Sequence, residues 1–368
     1  MMQKRTIIIS AINIFEGGPL SVLQDCLSET DSLLSDSYII IALVYSKSKV
    51  KTKNVKLIEF PKSRKSYLYR LYYEYFYFHK ISKRFKPFLW LSLHDITPIV
   101  NANIRAVYCH NPGPFYKANF NDWKFSPKIS LFSLFYKYLY KINIKKNNFI
   151  IVQQNWIADR FIKMFDLKKE NIIVANPFSL PEISNNFKEA NRSDKYCFFY
   201  PSFPRTFKNF EYICEACIKL ELLGISNFEV FLTIDGSENK YSEWVVKKYS
   251  KLKTVHFVGL LTKEKIFEYY QNVDCLIFPS KLETWGLPIS EFSCYDKPML
   301  LADMDYAHET AKRSKKTSFF SLTDVNELVS KMSFLIKGDL SNLNPVEGKT
   351  SEYCELDSWG KLIIKLLK

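Results

Sequence analysis

The stretch Thr254–Phe292, "TVHFVGLLTKEKIFEYYQNVDCLIFPSKLETWGLPISEF", decides the fold. It reads as a strand (Thr254–Val258), a helix (Glu264–Gln271), a second strand (Cys275–Phe278), a loop, and a helix (Ile289–Cys294). The second strand, Cys275–Phe278, is apolar at every position, the pattern of a strand buried on both faces. A strand–helix–strand unit of this kind predicts parallel pairing with the helix laid on the sheet.

The same rhythm runs outward in both directions. Upstream, Tyr196–Tyr200 and Glu229–Ile234 read as strands, and downstream Met299–Ala302 does, with Phe210–Leu223 and Ser242–Lys251 as helices. The first half repeats the scheme with strands at Thr6–Ser10, Tyr38–Tyr45, Val55–Phe60, Phe88–Leu93, Ala106–His110 and Phe149–Gln153. Its helices are Leu20–Ser28, Tyr67–Lys83 and Ser130–Lys141. The polar segment 176–195, "NPFSLPEISNNFKEANRSDK", holds two prolines and separates the halves as a linker. The expectation is α/β: two doubly wound, Rossmann-like domains, 1–175 and 196–350. The final helix, within 357–368, is expected to pack back on the first.

Length and composition agree with this. A chain of 368 residues suits two domains, and 47% hydrophobic residues can fill two cores. Disorder is excluded. The N-terminus "MMQKRTIIIS" lacks a small-residue cleavage site, and apolar runs such as Tyr38–Tyr45 are far too short to span a bilayer. The expected location is the cytoplasm, at the inner face of the cytoplasmic membrane if the chain rests on lipid. Of eight cysteines, Cys214 and Cys217 form a CxxC without a second ligand pair, which reads as buried thiols rather than a metal site.

The net charge of +14 is uneven. Residues 45–90 hold thirteen Lys/Arg against two acidic residues, and Tyr67–Trp90 carries eleven aromatics. Basic plus aromatic fits an anionic membrane, a nucleic acid or an acidic crevice. No nucleic-acid signature accompanies it, so nucleic acid is not an expected partner. A core-packed helix with a solvated basic face explains the same pattern.

In open parallel sheets ligands bind beyond the carboxyl ends of the strands. After Cys275–Phe278 come Glu283, Gly286 and Glu291. Gly286 permits close backbone approach, Pro288 suits a first helical turn, and a helix start favours phosphate. Carboxylates accept hydrogen bonds from sugar hydroxyls. An anion cradle flanked by two such acceptors describes a nucleotide-sugar pocket. A capping glutamate and an unrelated surface glutamate would look the same. After Tyr196–Tyr200 come Arg205 and Lys208, read either as diphosphate-binding cations or as solvated charge. His110 ends a strand before Asn-Pro-Gly and is either a packed histidine or a site residue. Gly17 and Gly18 follow the first strand as a phosphate-side loop or a simple turn. His94 and Asp95 end another strand and could line an acceptor.

These motifs resemble the retaining glycosyltransferases of family 4, the group 1 glycosyltransferases, whose fold is GT-B. The carriers are Glu283 and Glu291 as E-x7-E in the context "PSKLETWGLPISE", the strand–helix–strand before it, and "ADMDYAHET" after it, a form seen in polysaccharide-assembly members. The resemblance implies two Rossmann-like domains facing each other across a cleft. It implies that Glu291 holds donor ribose hydroxyls, that Glu283 contacts the donor sugar, and that amides around Trp285, Gly286 and Leu287 touch sugar and phosphate. Lys208 matches the lysine that neutralises the diphosphate. The accompanying arginine is expected five positions earlier, where Phe203 stands, so Arg205 would substitute from another position. His110 would meet the donor sugar, and Gly17 and Gly18 would lie near the phosphates or acceptor. Backbone near Gly236 and Leu260 would face the base.

The implied reaction is retaining transfer from a UDP- or GDP-sugar to a glycan or undecaprenyl-diphosphate-linked acceptor in bacterial surface polysaccharide (lipopolysaccharide O-antigen or capsule) assembly. No cofactor or metal is expected. Asp303-Met304-Asp305 has the D-x-D form used for metal in a different glycosyltransferase fold and is set aside. A GT-B epimerase or phosphorylase is the alternative, and a basic nucleic-acid binder a weaker one.

Overall fold

The computed structural model describes residues 4–176, 194–312, 314–348 and 350–368. The chain forms two compact units. Met1–Pro114, Leu134–Ser179 and Ser351–Lys368 make the first, and Phe115–Ser133 with Leu180–Thr350 the second. Most of the linker expected at 176–195 lies outside the described residues.

The first unit is an eight-stranded sheet, parallel in every pairing. Its spatial order is Cys354–Leu356, Ile172–Ala175, Phe149–Val152, Ile104–Cys109, Leu89–Ser92, Arg5–Ala11, Tyr38–Val44 and Lys56–Glu59. The alternation of side chains along Arg5–Ala11 supplies both faces of the core. Ile7, Ile9 and Ala11 pack with Leu23 and Leu27 of helix Gly17–Leu34 and with Leu362 and Ile363. Ile8 and Ile12 point the other way, among Phe78, Trp90 and Phe60. The last helix, Trp359–Leu367, therefore belongs to this unit. Ser358 caps it, the Gly360 amide donates to Glu29 at 2.6 Å, and Trp359 lies against Tyr108.

The second unit has six strands, again parallel in every pairing, in the order Val255–Phe257, Phe228–Leu232, Tyr196–Tyr200, Cys275–Phe278, Met299–Ala302 and Thr317–Phe320. Counted along the unit this is 3-2-1-4-5-6, so the direction of winding reverses between Tyr196–Tyr200 and Cys275–Phe278. A crevice opens at such a reversal, beyond the strand ends.

Besides the unexpected helices Phe120–Phe125, Asn155–Phe165, Asp305–Thr310 and Val325–Ile336, three features differ from the sequence expectation. Residues 115–133, expected in the first domain, group with the second unit: Phe125 lies against Tyr241 and Trp244, and Tyr116 against Phe207. The strands Ile172–Ala175, Thr317–Phe320 and Cys354–Leu356 were not expected. The helix expected over Tyr67–Lys83 is interrupted by a π-helical turn, Tyr73–Tyr77, between Tyr67–Tyr72 and Phe78–Phe85. Arg70, Glu74 and Phe78 are buried along it, so a carboxyl and a guanidinium face inward. Among the described residues no helix is long and apolar enough to cross a membrane.

Candidate active site

In the second unit, the loops after the two strands at the reversal meet. The Lys281 amide donates to the Phe207 carbonyl at 2.7 Å, and the Tyr200 hydroxyl donates to the Lys208 carbonyl at 2.8 Å. Asn209, left-handed at φ 62°, ends the turn Thr206–Lys208 and directs the chain into helix Phe210–Leu222. Held this way, the Lys208 ammonium forms an ion pair with Glu283. Both side chains are less than one-fifth exposed. Arg205 is exposed, with its guanidinium carbon 5.2 Å from the centre of the Phe203 ring. Phe203 occupies the position of the arginine implied by the resemblance.

Glu283 leads to Gly286, which precedes helix Leu287–Ser293 with φ 82°. A β-carbon there would stand 3.2 Å from Ile289 Cδ1 and against the Tyr306 ring. The loop is braced from beneath. Trp285 is buried and its indole N–H donates to Ser290 Oγ at 2.7 Å. Thr310 donates to the Trp285 carbonyl, and Tyr306 to the Ser280 carbonyl at 2.7 Å. Leu287 is partly exposed. Glu291, within the helix, accepts the Tyr270 hydroxyl at 3.1 Å. Burial pushes the Glu291 carboxyl above its usual range, opposed by the Tyr270 hydroxyl and the Lys263 charge. Tyr270 carried no signal in the sequence: it sits in the last turn of helix Lys263–Asn272 in the strand–helix–strand unit, where an aromatic reads as core. Gly236 (φ 96°) and Leu260 lie past the ends of the two outer strands, Phe228–Leu232 and Val255–Phe257. Asp303 pairs with His308 at 2.6 Å.

In the first unit, Gly17 (φ 66°) and Gly18 open the helix after Arg5–Ala11. His110 follows Ile104–Cys109, and its ring is about one-fifth exposed. His94 and Asp95 are buried and do not line an open surface. This corrects the reading of the pair as acceptor contacts. Asp95 instead accepts the backbone N–H groups of His110 (2.8 Å) and Asn111 (3.2 Å). His94 Nδ1 is 3.1 Å from Glu74 Oε1, and its Nε2 is 3.1 Å from Ser10 Oγ. Burial, together with the Arg70 charge, pushes the His94 imidazole down to about 3, so the ring is neutral.

A lysine–carboxylate pair at a winding reversal, followed by a glycine-led helix bearing a second carboxylate, is where the comparison with known proteins becomes informative. Residues 182–350 match the family model of glycosyl transferases group 1. Those residues are a group 1 glycosyltransferase domain, and the chain is a glycosyltransferase. The architecture is GT-B. Solved structures of similar fold include the apo form of the lipopolysaccharide outer core galactosyltransferase WaaB, at TM-score 0.61 and 12% identity, over 92% of this chain and 91% of that one. A glycosyltransferase from Rickettsia africae superposes at 0.64 and 14%, over 92% and 90%. Anabaena HepE, solved with UDP and glucose, gives 0.62 and 12%, over 90% of both. Among curated proteins none matches the chain by sequence.

Proposed function

We propose that this glycosyltransferase moves a sugar from a UDP- or GDP-sugar to a hydroxyl of a lipid-diphosphate-linked glycan, keeping the anomeric configuration, in assembly of a bacterial surface polysaccharide. The observation that carries this is the Lys208–Glu283 pair at the reversal of the second sheet, with Glu291 in the helix that follows. Lys208, with Arg205 beside it in sequence, answers the donor diphosphate. Glu283 takes sugar hydroxyls and Glu291 takes ribose hydroxyls. Backbone at Trp285, Gly286 and Leu287 approaches sugar and phosphate, and Gly236 and Leu260 lie toward the base. In the first unit, Gly17, Gly18 and His110 are the residues that the resemblance to group 1 glycosyltransferases points to. HepE, of similar fold, was solved with UDP and glucose.

The acceptor oxygen attacks C1 on the face from which the diphosphate leaves. The C1–O bond to phosphate breaks, the C1–O bond to the acceptor forms, and a donor phosphate oxygen takes the acceptor's proton. The protein's part is positioning and stabilisation of the departing charge. Lys208 supplies that charge in this reading, so no metal is required.

The acceptor is proposed to be lipid-linked because the first unit turns Leu68, Tyr72 and Phe76 outward beside a strongly basic stretch, a surface suited to anionic lipid. Sedimentation with liposomes, with and without anionic lipid, tests the contact; recovery in the supernatant with both overturns it. Thermal shifts with UDP, GDP and their sugars test the donor site, since a bound ligand raises stability by RT ln(1 + [L]/Kd). No shift with any of them overturns the reading. The product's anomeric coupling in proton NMR tests retention.

A further inference from the structure

Asp95 is a buried carboxylate in an unusual backbone position. It lies past the strand Leu89–Ser92, at φ 68°, in the left-handed region that costs a non-glycine residue free energy. Such a conformation persists where the surroundings over-determine it, and here they do. The Asp95 amide donates to the Tyr108 carbonyl of the neighbouring strand at 3.1 Å. Asp95 Oδ1 accepts from the amides of His110 and Asn111 and from the Tyr140 hydroxyl at 2.7 Å. Asp95 Oδ2 accepts from the Tyr136 hydroxyl at 2.9 Å and lies 3.7 Å from His110 Nε2. Tyr140 also reaches the Asn111 carbonyl at 3.1 Å. Asp95 and Tyr140 together hold the two residues that begin the His110–Asn111–Pro112–Gly113 loop.

We propose that Asp95 is a positioning residue for His110: it clamps the loop's backbone and sets the orientation of the imidazole. Nε2 is on the carboxylate side, which leaves Nδ1 as the ring's other polar atom. The inference rests on His110 being a site residue. The carboxylate is kept ionised by its cage. Burial raises it, but the His110 charge and the tyrosine and amide donors outweigh that and hold it below its ordinary value. Tyr136 and Tyr140 therefore do more than fill space. They arrive on helix Pro127–Lys141 as two of the carboxylate's hydrogen-bond donors.

The test uses Asp95→Asn, His110→Gln and the double variant of the full chain. Asparagine keeps an oxygen for the two amides, removes the charge, and turns the acceptor that faces Tyr136 and His110 Nε2 into an N–H donor. The chain has five histidines, so ring-15N labelling resolves them, and His110→Gln assigns the His110 signals. In Asp95→Asn the His110 ring shifts are expected to move and kcat to fall at least about tenfold, with donor KM within about threefold. On the His110→Gln background Asp95→Asn is expected to cost little more, because the residues act as one unit. Unchanged ring shifts overturn the proposal, as does an equal loss on both backgrounds, which would mark a structural role. Full activity of His110→Gln would instead overturn the catalytic part of the reading, while the ring shifts still decide whether Asp95 governs the imidazole.

Discussion

Lys208 and Glu283 pair with each other across the winding reversal of the second sheet, cation and carboxylate both largely withdrawn from water. On the proposed reading, a donor whose diphosphate takes Lys208 would part them, and the released Glu283 would accept from sugar hydroxyls. A nucleoside diphosphate without sugar would part the pair and offer Glu283 nothing in return, so the pair would favour the sugar nucleotide over the product left after transfer.

Glu283→Gln tests this with an unusual sign. The variant leaves Lys208 unpaired, so UDP or GDP, whichever the enzyme uses, is expected to bind about tenfold tighter, a gain of about 1.4 kcal/mol. Transfer is expected to fall, because the charged acceptor of the sugar hydroxyls is gone. Calorimetry of the free nucleotide separates the effects, and weaker nucleotide binding in Glu283→Gln would sink the idea.

Removing the cation instead leaves Glu283 as an unopposed negative charge beside the diphosphate. Lys208→Ala is expected to lower transfer at least ~100-fold, the scale of one key electrostatic group. Tyr270→Phe is milder: Glu291 loses one hydrogen-bond donor, worth about 1 kcal/mol, so donor affinity should fall severalfold with kcat nearly unchanged. Steady-state kinetics with varied donor distinguishes the two; near-native turnover in Lys208→Ala would contradict its assignment.

Much of this site was legible because its residues lie at the ends of apolar strands. Tyr196–Tyr200, Cys275–Phe278 and Met299–Ala302 are uninterrupted apolar runs and appear where expected. Thr317–Phe320 starts with two hydroxyl residues, and Cys354–Leu356 is a short, partly exposed edge, so neither carries that signal. Helix Pro127–Lys141 shows a deeper limit. It buries Ser130, Ser133, Tyr136 and Tyr140 and turns Leu131, Leu134, Phe135 and Tyr138 outward. Hydrophobic periodicity would place those faces the other way round. Asp95 was visible only as a strand-end carboxylate, because its partners are far away in sequence.

Gly286 joins local backbone geometry to the site. Its φ of 82° suits glycine, and a β-carbon would press on Ile289 within the same helix. Gly286→Ala is expected to cost about 1–2 kcal/mol of stability from backbone strain, and to weaken donor binding as the turn shifts. Denaturant unfolding and donor calorimetry are the measurements. An alanine variant as stable as the parent would show that the turn relaxes freely.

Glu74 makes the last prediction, about stability and pH. Burial pushes its carboxyl up to about 8, against the pull of Arg70, whereas the unfolded chain releases that proton near 4.5. Between those values the folded state holds more protons. Its stability is therefore fully present below pH 4.5 and declines as pH rises toward about 8. With His94 neutral, its Nδ1 stands 3.1 Å from Glu74 Oε1, in reach of a proton donated by the carboxyl, and its Nε2 is 3.1 Å from Ser10 Oγ. A glutamine amide can make the same donation without a proton to lose. Glu74→Gln should therefore melt higher than the parent at pH 8, with a smaller difference at pH 5. Thermal unfolding at both values decides it: a difference independent of pH would mean that Glu74 is ionised in the fold and paired with Arg70.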